Sequence, residues 1–131
     1  MEQHKGSCLC GKVSIIVNGA LSDADACHCY QCRKWSGHFL VSTETERNEV
    51  VIEGEEHVKW FESSERARRG FCENCGSALF FDPLDKNKHS WTGICMGLFD
   101  TQNEVKLSHH IFVSEKGEYY NITDGLPQNQ T

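Results

Sequence analysis

The apolar residues of this chain come in short runs broken by turn residues, not in helical stripes. Lys12-Val13-Ser14-Ile15-Ile16-Val17 is rich in β-branched side chains and ends at Asn18-Gly19, a strong turn signal. Residues 38–43, 49–53 and 57–62 read as further strands, with Gly54 separating the last two. Residues 68–72 and 76–81 flank a tight cysteine turn, and Asp82-Pro83 marks the end of the second. Residues 91–97 and 109–113 complete the set. Turn signals recur about every ten residues, as in sandwiches and barrels. Helical periodicity is weak, and short turns near residues 85–88 and 98–103 are its best candidates. The pattern predicts an all-β fold, a small β-sandwich of short antiparallel strands with little helix, forming a single domain over residues 1–131. The tail from Glu118 to Pro127 carries aromatic and turn residues and is expected to pack back on the body, with fraying only after Pro127.

Composition changes the picture through cysteine. Residues Met1 to Lys5 contain no apolar stretch like that of a secretion signal, and no apolar run approaches membrane-spanning length. The expected compartment is therefore the reducing cytoplasm. There, eight cysteines point to metal or catalysis and not to four disulfides. The formal net charge is −6, and thiolates on zinc would make it more negative. Such a surface repels phosphate backbones, so nucleic acid is not an expected partner.

Seven cysteines fall into two constellations. The first is Cys8-Leu9-Cys10-Gly11 with Cys72-Glu73-Asn74-Cys75-Gly76. Residues i and i+2 of a strand share a face, so Cys8 and Cys10 can reach one ion. Cys72 and Cys75 have the spacing of a zinc knuckle, and in both halves a glycine lets the chain turn away after the ligand. Four thiolates make a closed, structural zinc site. The second is Cys27-His28-Cys29-Tyr30-Gln31-Cys32. Its three thiolates leave one position of a tetrahedral zinc for water or substrate, the mark of a reactive site. A fourth protein ligand would close it, and the candidates are Cys95, His28, His38, His109 and His110. Cys95 lies in an apolar strand, where a cysteine behaves as a small hydrophobe.

Three ordered motifs carry a resemblance: Gly6-Ser7-Cys8-Leu9-Cys10-Gly11, then Cys27-His28-Cys29-Tyr30-Gln31-Cys32-Arg33-Lys34 with Ser36-Gly37, then Arg69-Gly70-Phe71-Cys72-Glu73-Asn74-Cys75-Gly76-Ser77. With the late His110-Ile111-Phe112-Val113 and Asp124-Gly125-Leu126-Pro127, the chain resembles the glutathione-dependent formaldehyde-activating enzyme family, also named for centromere protein V. The resemblance implies sheets folded over each other around a cysteine–zinc site. It also implies two zinc ions per chain, structural at Cys8, Cys10, Cys72 and Cys75 and catalytic at Cys27, Cys29 and Cys32. The implied activity is on the carbon–sulfur bond of S-(hydroxymethyl)glutathione, a lyase reaction on a small thiol–aldehyde adduct.

The open site suits that chemistry, because metal binding lowers a thiol's pKa. His28 lies between two ligands and would point away from the metal on a strand, which weakens it as the base; His38, His109 and His110 are the other candidates, with a surface or core role the plainer reading for each. A glutathione-like ligand carries two carboxylates, for which Arg33-Lys34 and Arg66-Ala67-Arg68-Arg69 are nearby cations. Arg66 and Arg68 read as a solvated face. Arg69 shares a face with Ala67 and Phe71, and is expected to point inward and pair with an acid. Trp35, Phe39 and Trp91 are candidates for a pocket wall, with core packing as the plainer role. Two other readings stand beside the lyase: a non-catalytic zinc-binding interaction module, and a redox dithiol at Cys29 and Cys32. Redox pairs are normally metal-free Cys-x-x-Cys at a helix start, and the extra thiol of Cys27 argues for metal instead. Oligomeric state is not legible.

Overall fold

In the sequence SIIV the β-branched side chains alternate between buried and half-buried positions, and Ile15 and Val17 are almost wholly enclosed. The same strand logic repeats through a computed structural model that describes residues 2–131. The strands are β1 His4–Ser7, β2 Ser14–Val17, β3 Ala24–Cys27, β4 Leu40–Glu46, β5 Val50–Glu53, β6 Val58–Glu62, β7 Ala67–Cys72, β8 Ala78–Pro83, β9 Trp91–Cys95 and β10 Leu107–Ile111. One α-helix, α1, spans Tyr30–Ser36.

They form two sheets, one of three strands in the order β1-β2-β5 and one of seven in the order β10-β3-β4-β9-β8-β7-β6. Ile15 and Val17 from the small sheet meet Val58, Leu79, Phe80 and Ile94 of the large one in a single apolar cluster. This is the expected sandwich, mostly strand and with little helix. Gly54 explains one corner: its φ is +78°, and a Cβ there would collide with the Lys12 carbonyl oxygen, so only glycine lets β5 turn beside β2.

The Asn18-Gly19 signal does end β2, which pairs with β1 and β5. Three expectations need correction. The one parallel pairing, β10 with β3, departs from an antiparallel arrangement. The helix lies at Tyr30–Ser36, while residues 85–88 form a turn and only a short 3-10 turn, Met96–Leu98, touches the second candidate. Order also continues past Pro127: the Asn129 amide donates to the His110 carbonyl at 2.8 Å, and the Val113 amide donates to the Asn129 carbonyl at 3.0 Å. The His110 amide in turn donates to the Pro127 carbonyl at 2.9 Å, so the tail satisfies both backbone groups of that residue on β10's far edge. The tail from Glu118 to Pro127 does pack back, as expected. No helix among the described residues is long and apolar enough to cross a membrane.

Candidate metal centres

The first cysteine group gathers Cys8, Cys10, Cys72 and Cys75, whose sulfurs all lie within 4.8 Å of one another. Cys72 ends β7, and the Gly76 amide donates to its carbonyl at 2.8 Å, which closes the knuckle. Cys8 and Cys10 are not on a strand. They sit in a turn closed by the Gly11 amide on the Cys8 carbonyl at 3.1 Å. Gly11 and Gly76 have φ of +83° and +77°, as their positions after the cysteines foretold. The Leu9 amide donates to Ser77 Oγ at 3.0 Å, tying the two halves together. Cys8 and Cys10 sulfurs are 3.6 Å apart, and Cys10 and Cys72 sulfurs 3.8 Å. Four sulfurs around a tetrahedral zinc stand about 3.8 Å apart, so the donor set suits that ion. A side-chain hydrogen bond from Ser77 holds the Cys75 thiol down at about 5.

The second group is Cys27, Cys29 and Cys32, again within 4.8 Å. Cys27 ends β3. Cys29 is the N-cap of α1, and its sulfur accepts the Cys32 amide at 3.3 Å, the place usually taken by Ser or Asp. Cys32 lies in the first turn and is buried. Gly37, at φ +86°, ends the helix. Hydrogen bonds from Cys27 and Cys32 hold the Cys29 thiol down at about 2, while its neighbours, and burial, push Cys27 up. The three sulfurs therefore share protons and cannot all ionise without a cation. No fourth His, Cys, Asp or Glu joins this group among the described residues. Cys95 stays outside it, buried in β9, its thiol pushed up to about 12 by burial.

The second group opens into a cavity of 820 Å³. Trp91, Phe81, Tyr30 and Phe112 supply aromatic wall, and Asp25, Glu44, Glu65 and Glu115 supply carboxylates. Phe112 sits at φ +54°, a left-handed conformation uncommon away from glycine. Of the expected wall residues only Trp91 is there. Trp35 packs edge-on against Phe71, and Phe39 lies against His28. No histidine among the described residues lines the cavity. His38 meets Tyr119 Oη, and His109 meets Ser108 Oγ at 2.7 Å. His28 does point away, as a strand predicts, into a chain of contacts with Tyr120 and His110. The expected bases are thus elsewhere, and the acids were missed. Asp25 could have been found, since it stands two residues before Cys27 on the same strand face. Burial raises the Asp25 carboxyl, and burial together with Asp25 raises Glu44.

Among the cations, Arg66 and Arg69 line the cavity and Arg33 and Lys34 do not. Arg33 donates to the Glu115 carbonyl at 2.9 Å, and Lys34 lies over the Tyr30 ring. Arg68 is no solvated residue: its Nε donates to Asp82 at 2.9 Å and its guanidinium stacks on Trp60. Arg69 is inward as expected, at 3% exposed, but its partners are Ser63, Gln31 and the Cys32 sulfur, not an acid.

Fold and site define a β-sandwich protein with two cysteine clusters able to hold metal ions. Residues 3–115 match the family described as glutathione-dependent formaldehyde-activating enzyme, and the chain belongs to that family. It is 35% identical to an uncharacterized lyase of Schizosaccharomyces pombe, over 78% of each chain. A crystal structure of a Rhodobacter sphaeroides protein shares the fold, with a TM-score of 0.61 and 23% identity over 76% of this chain and 91% of that one.

Proposed function

We propose that this protein is a zinc-dependent carbon–sulfur lyase acting on a small thiol–aldehyde adduct such as S-(hydroxymethyl)glutathione. The observation that carries the reading is the second cysteine group, three sulfurs within 4.8 Å of one another with no fourth protein donor among the described residues, facing a cavity large enough for a tripeptide thiol. Membership of the family and the lyase named in yeast support the enzyme class. On this reading one zinc at Cys8, Cys10, Cys72 and Cys75 is structural and a second at Cys27, Cys29 and Cys32 is catalytic. Residues 1–131 act as one such domain, in the reducing cytoplasm, with a small thiol and not nucleic acid as partner.

Zinc, when bound, would stabilise a substrate thiolate near neutral pH. The chain's own residues do the rest. Cys27, Cys29 and Cys32 hold one side of the site, and the aromatic wall excludes water. In adduct formation the thiol sulfur adds to the aldehyde carbon, the carbonyl π pair moves to oxygen, and the proton given up by the thiol is returned to that oxygen. Cleavage is the reverse. Asp25 and Glu44, carboxylates lining the same cavity, are on this reading the groups that pass that proton.

Two other readings are tested by the same experiment. In one, the protein is a non-catalytic zinc-binding interaction module. In the other, Cys29 and Cys32 form a redox dithiol, which gains from one observation: they do stand at a helix start. The third sulfur of Cys27 in the same group favours metal. Metal content per chain, followed by cobalt substitution and addition of glutathione, separates the three. Two ions, a shift of the cobalt bands with thiol, and turnover of a glutathione–formaldehyde mixture support the lyase. Unchanged bands and no turnover leave the module. One ion with a reversible Cys29–Cys32 disulfide leaves the dithiol.

A further inference from the structure

Arg69 is a buried cation without a carboxylate. The neighbouring arginines Arg47 and Arg68 both pair with Asp82, at 2.9 Å each. Arg69, only 3% exposed, forms no ion pair among the described residues. Its Nε donates to Ser63 Oγ at 3.2 Å, its Nη1 to Cys32 Sγ at 3.6 Å, and its Nη2 to Cys32 Sγ at 3.6 Å and Gln31 Oε1 at 3.5 Å. A guanidinium carries five N–H groups. These contacts use four and leave one, on Nη1. That group belongs to a side chain lining the same cavity as Cys27, Cys29 and Cys32. The guanidinium also faces the rings of Phe81 and Trp35, with centroids 5.1 Å and 6.0 Å away. It is thus fixed by its surroundings and not by an opposite charge.

We propose that Arg69 is the oxygen-binding residue of the cavity site, its remaining Nη1–H donating to the oxygen borne by the sulfur-linked carbon of the adduct. This rests on the lyase reading above. A substrate sulfur seated beside Cys32 carries that oxygen two bonds away, within reach of a donor that itself touches the Cys32 sulfur. Negative charge collects on this oxygen whether the carbon–sulfur bond is forming or breaking. A preorganised, buried N–H aimed at it favours that charge more than water would. With an ion held at Cys27, Cys29 and Cys32, the guanidinium would also offset the excess negative charge of the thiolates, which no carboxylate in the cavity could do.

The test uses two small thiolates as probes on the cobalt-substituted protein. Thioacetate carries an oxygen on its sulfur-bearing carbon, and ethanethiol does not. Arg69→Met is expected to weaken thioacetate about tenfold or more, the effect of one lost charged hydrogen bond, while ethanethiol affinity changes less than about threefold. Turnover of glutathione with formaldehyde should fall about a hundredfold or more in kcat. If Arg69→Met fails to hold the second ion, Arg69→Lys is measured instead. It keeps the charge without the fork, and should retain ethanethiol binding while losing the preference for thioacetate. Equal weakening of both thiolates would reduce Arg69 to charge balance and overturn the proposal. Unchanged thioacetate affinity in an active parent would overturn it and leave the lyase reading intact. A parent that neither turns over nor responds to any thiol would overturn both.

Discussion

His28 and His110, 82 residues apart in the chain, share a hydrogen bond of 2.8 Å between Nε2 and Nδ1. On either side stand Tyr120 Oη, 2.5 Å from His28 Nδ1, and the Asp124 carboxylate, 2.8 Å from His110 Nε2. The carboxylate can only accept, so His110 Nε2–H donates to it. His28 Nε2–H then donates to His110, and the Tyr120 hydroxyl donates to His28. Both rings are neutral in this arrangement. Burial, then the charges of His110, His38 and Lys116, lower His28 to about 4. An unfolded histidine takes up its proton near pH 6.5, so the unfolded chain binds the proton first on acidification. The stability His28 contributes is complete above about pH 6.5 and is lost as pH falls toward 4. Urea midpoints from pH 7.5 to 4.5 should fall more steeply for the parent than for His28→Asn. Parallel curves would show that His28 does not titrate in this window.

Removing the other ring tests the same chain through its partners. His110→Ala leaves the His28 Nε2–H without its acceptor in a buried setting, and the exposed Asp124 carboxylate without its donor. We expect a loss of about 2–3 kcal/mol in urea unfolding, against about 1 kcal/mol for Tyr120→Phe. The order of the two values is the check.

The first cysteine group should hold the fold. Its sulfurs come from segments 62 residues apart, and Cys10 and Cys72 sulfurs sit 3.8 Å from each other. Cys10→Ser or Cys75→Ser should give a largely unfolded or aggregated chain, because a structural metal contributes folding free energy outright. Cooperative melting near the parent temperature would contradict this role.

The cavity cysteines should be separable from folding. They lie on six consecutive residues and tie together little long-range structure. Cys29→Ala should keep the β spectrum in circular dichroism, lose one ion per chain, and abolish turnover of the adduct. Cys95→Ala should keep both ions and activity, at a cost of about 1 kcal/mol for the small void. Loss of an ion from Cys95→Ala would make Cys95 the closing ligand.

Asp82 is buried between Arg47 and Arg68. Burial alone would raise its carboxyl, but the hydrogen bonds from the two guanidiniums outweigh it and hold the carboxyl below the usual range. That contribution is fully present above about pH 4 and disappears as pH drops through the lowered value. Asp82→Asn should cost about 2–3 kcal/mol at pH 7, less than a wholly buried pair because both arginines are about a quarter exposed. The cost should vanish in strong acid. A pH-independent difference would assign it to packing.

Most strands were legible because β-branched runs bounded by glycine and proline say strand without help from the rest of the chain. Two were not. HKGS and ADAC carry no β-branched residue, and β1 and β3 are strands only because their neighbours pair with them. Helix α1 was hidden for a different reason: seven residues give no apolar period, and its cap is a cysteine, which the usual capping preferences do not name. Both cysteine groups could be read from spacing, since sulfurs two or three residues apart reach one point on a strand or in a turn. Of the cavity acids only Asp25 could, from its place two residues before Cys27; Glu44, Glu65, Glu115 and the carboxylate-free surroundings of Arg69 could not. They depend on which residues of β3, β4 and β7 face the same space, and spacing within one strand does not reveal that.

The parallel pairing of β10 with β3 has a temporal side. Cys27 and Cys32 leave the ribosome long before Ile111 and Tyr120, which pair with Cys27 and contact His28, have been made. During that interval the three cavity thiols belong to an unfinished chain, open to oxidants and to any passing metal. The site's surroundings are complete only once β10 and Tyr120 have been made, so a truncation ahead of Leu107 should undo them without deleting one of its cysteines.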